Sequence, residues 1–331
     1  MIAAILTGPD RWTVDEVPVP ALAAGQVLIR TEVAAICGSD LHAAAHPDPD
    51  LDSDLDSGQG APGAPGHEAV GTVTESRSSR FAAGDRVLCV PAAALSRCFA
   101  SHQVLPDTAL VPLPARGDAE ELVVAQQLGT AIFAMKRFWP AGIAATGLTA
   151  AVLGTGPAGL AFVSLLRRAG FTQVVASEVS PARLAAAAAL GADLVVDARV
   201  DDVVDVVNDR TGGVGADLVI EAAGRDSTRH QAMRMVRLDG RIGLFGLEEK
   251  PGLSTYPLAE MFRRRPTVEM TWGAQSEPGL ASFLAATDLV TTGASGLPGL
   301  VTHRLPLEDI AEAFALARDP GSGAVKVALT L

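Results

Sequence analysis

Residues 154–159 read Gly-Thr-Gly-Pro-Ala-Gly, and their setting constrains the fold more than any other segment. A short apolar run (150–153) precedes them, and a segment with helical spacing (157–169) follows. A GxGxxG between a strand and a helix has a mechanical meaning. The first glycine allows the tight turn, the second lets backbone approach a pyrophosphate, and the third lets helix and strand pack closely. The helix start then offers N–H donors and partial positive charge to the phosphates. Glu178 closes the next apolar run, 24 positions after Gly154. An acid there accepts hydrogen bonds from an adenosine ribose diol and repels a 2′-phosphate. Val179 follows it, so NAD is favoured over NADP, while Arg183 keeps NADP open. Gly154, Gly156, Pro157, Gly159, Glu178 and Arg183 are therefore the candidate cofactor-binding residues. The plainer alternative is a set of ordinary turn glycines with a solvated surface acid.

The alternation continues beyond this loop. Strands are expected at 173–176, 194–196, 218–220 and 241–245, and helices at 181–190, 201–210 and 228–237. Ser180 suits an N-cap, with Pro181 at the first helical position and Gly191 ending that helix. Apolar strands alternating with helices imply a doubly wound parallel sheet. Residues 1–120 have a different rhythm, with short apolar segments (3–6, 26–33, 69–74, 86–90, 109–111) broken by Pro and Gly, as in a β-rich domain. A helix near 307–318 and a strand at 325–329 complete the chain. The stretch 46–66, rich in Asp, Pro and Gly, is expected to be an exposed loop or flap.

Charge and cysteine usage exclude several classes. The net charge is −12, with three Lys against 23 Arg and no basic stripe, which argues against nucleic-acid binding. No apolar run reaches the ~18 residues of a membrane span, and the N-terminus lacks the basic start of a secretory signal. Three cysteines (Cys37, Cys89, Cys98) argue against a disulfide framework and for a reducing, cytoplasmic setting.

A second constellation lies upstream, in Cys37-Gly38-Ser39-Asp40-Leu41-His42 and Gly66-His67-Glu68. A thiolate and an imidazole suit Zn²⁺, whose catalytic sites take three protein ligands and keep one open position. Glu68 and Asp40 can orient the ligands, and Ser39 and His42 are the parts of a proton relay. Taken singly, a Cys is more often a small buried hydrophobe and a His a satisfied core or turn residue.

With both constellations in view, the chain resembles the zinc-containing alcohol and polyol dehydrogenase branch of the medium-chain dehydrogenase/reductase superfamily. The resemblance rests on residues 36–42, 66–71 (Gly-His-Glu-Ala-Val-Gly), 84–87 (Gly-Asp-Arg-Val) and 153–159. It implies a Rossmann domain (128–272) inserted into a GroES-like β-domain (1–127, completed by 273–331). It implies catalytic roles for Cys37, His67, Ser39 and His42, with Cys37 and His67 holding one catalytic zinc. Ala125-Gln126-Gln127-Leu128-Gly129 matches the segment where polyol dehydrogenases carry Glu-Pro-Leu, which places Gln126 in the third ligand position, with Glu68 as the other candidate. The lobe that binds a structural zinc is missing, so no structural zinc is expected and Cys89 and Cys98 read as core thiols. The implied reaction passes a hydride between NAD(H) and a small alcohol, polyol or carbonyl compound, in a homodimer or homotetramer. A zinc-free reductase of an activated C=C or C=N bond and a silent NAD(P)-binding regulator are the alternatives.

Overall fold

The computed structural model describes residues 1–46, 60–248 and 252–331, which form two compact units, Met1–Gly129 with Gln275–Leu331, and Thr130–Ala274. Residues 47–59, most of the Asp-rich stretch, lie outside the described residues.

The first unit is a β-rich domain. A hairpin of β1 (Ile2–Gly8) and β2 (Arg11–Glu16) accompanies a seven-stranded sheet. That sheet runs β14 (Val301–Pro306), β15 (Lys326–Thr330), β3 (Gln26–Ala35), β4 (Glu68–Ser76), β5 (Arg86–Cys89) and β7 (Leu110–Pro112), with β6 (His102–Pro106) also paired to β3. The late strand β15 lies antiparallel to β3, Ala328 opposite Ala35, so the chain's last segment returns to the sheet built by its first. Strand β3 buries alternate residues such as Val27 and Ile29 because side chains on a pleated strand point to opposite faces. Trp12, Phe99 and Phe314 pack as an aromatic cluster, Trp12 and Phe314 with ring centroids 4.7 Å apart.

The second unit is a six-stranded parallel sheet in the order β10 (Leu194–Asp197), β9 (Gln173–Glu178), β8 (Thr149–Leu153), β11 (Ala216–Glu221), β12 (Val236–Leu244), β13 (Thr267–Met270). Counted from β8, this is the 3-2-1-4-5-6 order of a dinucleotide-binding sheet, with the reversal between β8 and β11. The connecting helices include α3 (Pro157–Ala169), α4 (Pro181–Ala189), α5 (Val203–Arg210) and α6 (Asp226–Met235).

Several elements, β13 and β14 among them, have no counterpart in the sequence expectation, and two departures have a clear physical reason. Residues 236 and 237, expected to finish a helix, instead open β12, because Val236 pairs with Ala216 of β11. The 20-residue helix α2 (Ala119–Phe138) has no counterpart among the expected elements. Its middle turns, residues 122–129, are buried on every side, Gln126 and Gln127 included, so over this stretch no exposed polar face marks the 3.6-residue period.

Candidate active site

Cys37 follows the end of β3 and is the N-cap of α1 (Gly38–Ala45). Ile36 N–H donates to Val327 O (3.0 Å), which fixes the cysteine against β15. One turn on, Asp40 is almost fully buried, and its carboxylate bridges two elements. Oδ2 accepts the Cys37 backbone N–H at 2.8 Å, and Oδ1 lies 2.8 Å from Nδ1 of His67. A carboxylate so placed holds the proton on Nδ1 and leaves Nε2 to serve as a ligand. Burial works to lower the His67 pKa, but the adjacent Asp40 carboxylate outweighs it and holds the imidazole's pKa well above its ordinary value.

The Cys37 sulfur, a His67 ring nitrogen and a Glu68 carboxylate oxygen lie within 4.8 Å of one another. Glu68, the first residue of β4, is wholly buried. Its Oε2 sits 2.5 Å from Nζ of Lys326, a lysine equally withdrawn from solvent on β15. Burial works to lower the Lys326 pKa, and the Glu68 charge more than reverses this. Nζ also approaches Ile36 O at 3.4 Å. Glu68 Oε1 has no hydrogen-bond partner among the described residues. A buried carboxylate oxygen without a donor, beside a thiol and an oriented imidazole, fits a divalent cation, because an uncompensated buried acceptor is costly.

Gln126 and Gln127 are both buried on α2. The side-chain carbonyl Oε1 of Gln127 lies 3.5 Å from Cys37 Sγ. Ser39 and His42 are half-buried on α1, three positions apart and so neighbours on the helix surface. The His42 ring lies 5.2 Å from that of His46. Cys89 and Cys98 are fully buried in the β-domain core, and burial pushes both thiols' pKa values up.

In the second unit each glycine of the 154–159 loop has its own task. Gly154 takes φ +86°, and a Cβ there would meet Ala223 at 2.9 Å. A Cβ on Gly156, the N-cap of α3, would meet nothing within 4 Å, so the space above the helix start is open. A Cβ on Gly159 would lie 2.0 Å from Gly154 O, so only glycine permits that helix–loop contact. Pro157 occupies the first turn of α3, where no intrahelical donor is lost. Glu178 ends β9 nearly buried. Its Oε2 accepts Thr155 N–H (2.8 Å), and Oε1 accepts Val179 N–H (2.7 Å) and Ser180 N–H (3.2 Å). Arg183 lies half-buried on α4.

Three residues of these sites were not singled out from sequence. Lys326 carried a signal, since a lone lysine inside the apolar run Val325–Leu329 has no solvated face to occupy. Glu221, at the end of β11, is wholly buried. Its Oε1 accepts from Ala223 N, Gly224 N and Thr228 Oγ1 at 2.8–2.9 Å, which shapes the loop against Gly154. Gln127 was masked by its twin at 126.

The family profile described as "Alcohol dehydrogenase GroES-like domain" matches residues 23–131, and that described as "Zinc-binding dehydrogenase" matches residues 157–289. An alcohol dehydrogenase of Rhizobium meliloti (strain 1021) is 32% identical over 289 residues, covering 77% of this chain and 78% of its own. An L-threonine 3-dehydrogenase of Bacillus velezensis is 28% identical over 339 residues, with 95% and 94% covered. The solved structure of the alcohol dehydrogenase TADH from Thermus sp. ATN1 superposes with a TM-score of 0.85 at 27% identity, covering all of both chains. Fold and site together define a dehydrogenase built from a GroES-like domain and a dinucleotide-binding domain. The chain belongs to the zinc-dependent alcohol dehydrogenase family of the medium-chain dehydrogenase/reductases. It is an oxidoreductase acting on the CH–OH group of small molecules. No helix among the described residues is long and apolar enough to cross a membrane.

Proposed function

We propose that the chain is a zinc- and NAD-dependent dehydrogenase interconverting a small alcohol or polyol and its carbonyl partner. The observation that carries this reading is the convergence of Cys37, His67 and a Glu68 carboxylate oxygen within 4.8 Å. Bound there, zinc would supply Lewis acidity to a substrate oxygen, and NAD⁺ would take the hydride from its carbon.

The chain's own residues do the rest. Cys37 and His67 would hold the metal with the Glu68 carboxylate beside it, and Asp40 sets the His67 tautomer. Ser39 Oγ receives the proton of the substrate hydroxyl and hands one to His42, which releases it to water, so alcohol and NAD⁺ yield carbonyl, NADH and a proton. The start of α3 and the open space at Gly156 suit the pyrophosphate. A carboxylate has about four lone-pair positions. Backbone donors take three at Glu178, leaving one for a ribose hydroxyl and none that would welcome a phosphate. This favours NAD over NADP.

Self-association is part of the same proposal. Strand β13 is at the edge of its sheet, and Met270 at its end, Trp272 just after it and Phe262 on the preceding helix are 68–75% exposed, apolar groups suited to contact with a second copy.

The test pairs metal analysis with a spectrophotometric screen of NADH and NADPH against alcohols, polyols and ketones. One zinc per chain and NAD-linked turnover are expected, and Ser39→Ala should keep NAD binding while losing most turnover. A purified protein that turns over substrate without metal would exclude the reading.

A further inference from the structure

We infer that Gln127 is a metal ligand through its side-chain carbonyl oxygen, giving this centre a neutral amide donor. The inference rests on the metal reading above and specifies its donor set.

Three observations lead here. The first is distance. Zinc–sulfur and zinc–oxygen bonds of about 2.3 and ~2.1 Å at a tetrahedral angle place the two donor atoms about 3.6 Å apart. Gln127 Oε1 lies 3.5 Å from Cys37 Sγ. Without a metal the same spacing serves a thiol donating to the amide oxygen. The second is charge. A metal-bound sulfur carries no proton to donate, so across 3.5 Å its lone pairs face those of the amide oxygen. A cation between them turns that repulsion into two bonds. The third is placement. Gln127 is 4% exposed on a long helix, so its amide cannot satisfy itself with bulk water.

The donor count then closes. A catalytic zinc keeps three protein ligands and one exchangeable position. Cys37, His67 and Gln127 are the resident three. Glu68, its Oε2 held 2.5 Å from Lys326 Nζ, would be the carboxylate beside the exchangeable position. An amide in place of an anion leaves the metal one negative charge short, which weakens its binding and strengthens its pull on a substrate hydroxyl.

Substitution at 127 separates a ligand from a mere neighbour, because the two roles predict opposite signs. If Gln127 only turns its NH₂ toward the thiolate, Gln127→Glu places a like charge beside the sulfur and loosens the metal. If it is a ligand, the same change adds an anionic donor and tightens it. Zinc affinity is read by chelator competition, and the ligand set by the visible spectrum of the cobalt-loaded protein. We expect Gln127→Glu to bind zinc more than tenfold tighter, and Gln127→Ala more than tenfold weaker with an altered cobalt d–d spectrum. Gln126→Ala should match the wild type in both. A Gln127→Glu protein that binds zinc no tighter than wild type overturns the inference, as does a loss that follows Gln126 instead. A wild-type chain that holds no zinc at all removes the metal reading itself, a separate outcome seen before any variant is made.

Discussion

Lys326→Met removes the positive partner of Glu68 while keeping an unbranched apolar stem of similar length. Both side chains are 0% exposed in the native chain, so solvent cannot take over the lost interaction. Breaking a buried pair by removing one partner costs about 3–5 kcal/mol. An independent bound comes from protonation. Neutralising a carboxyl group of ordinary glutamate pKa, about 4.3, costs about 3.7 kcal/mol at pH 7 and about 1 kcal/mol at pH 5. The buried acid in the variant takes up a proton once its penalty exceeds that figure. Metal-free Lys326→Met should therefore lose about 3–4 kcal/mol at pH 7 and about 1 kcal/mol at pH 5. The sign follows from linkage. The variant's folded state binds a proton that the unfolded chain has released, so its deficit grows as pH rises above the unfolded value. In urea the midpoint of the β-domain should fall by about 1 M at pH 7, for a slope of about 3 kcal/mol/M. Adding Glu68→Gln should restore most of the loss, and zinc should shrink it, since a cation at Oε1 compensates the same charge. A midpoint unchanged between wild type and variant at pH 7, or a double variant no better than the single one, would refute the reasoning.

Further outcomes follow from the described geometry. Gly159→Ala forces a Cβ to 2.0 Å from Gly154 O, and should cost roughly 1–3 kcal/mol and weaken NADH binding measured by fluorescence. Glu178→Ala frees three backbone N–H groups and removes the acid, so the NADH-over-NADPH preference in titration should shrink or reverse. Burial raises the Glu221 pKa despite the three hydrogen bonds it accepts, so its folded form holds a proton that the unfolded chain loses above about pH 4.5. Stability from this group is full below that value and lost as pH rises through its folded pKa, and Glu221→Gln should flatten the melting-temperature profile there.

The nucleotide half of the fold was legible because its signals are local. Glycines, an N-cap and short apolar runs each fix backbone over a few residues, and β8, α3 and β9 fall where those signals put them. Cys37, Ser39 and His67 could be picked out because each sits in a short motif. Lys326 left only the hint of a charge inside an apolar run and Gln127 none, because their significance arises only when distant strands and a helix meet. Helix α2 was hidden by the burial of its middle turns on all sides, which erases there the polar stripe that periodicity depends on.

The counter-charge for Glu68 enters the chain more than 250 positions after it, and the whole of Thr130–Ala274 is synthesised between the two. During translation the glutamate therefore emerges long before the lysine that makes its burial tolerable. The nucleotide-binding unit can condense on the ribosome while the β-domain waits, its carboxylate still hydrated, for strand β15 to arrive. The β-domain is thus discontinuous in sequence, its first and last strands separated by the whole nucleotide-binding unit.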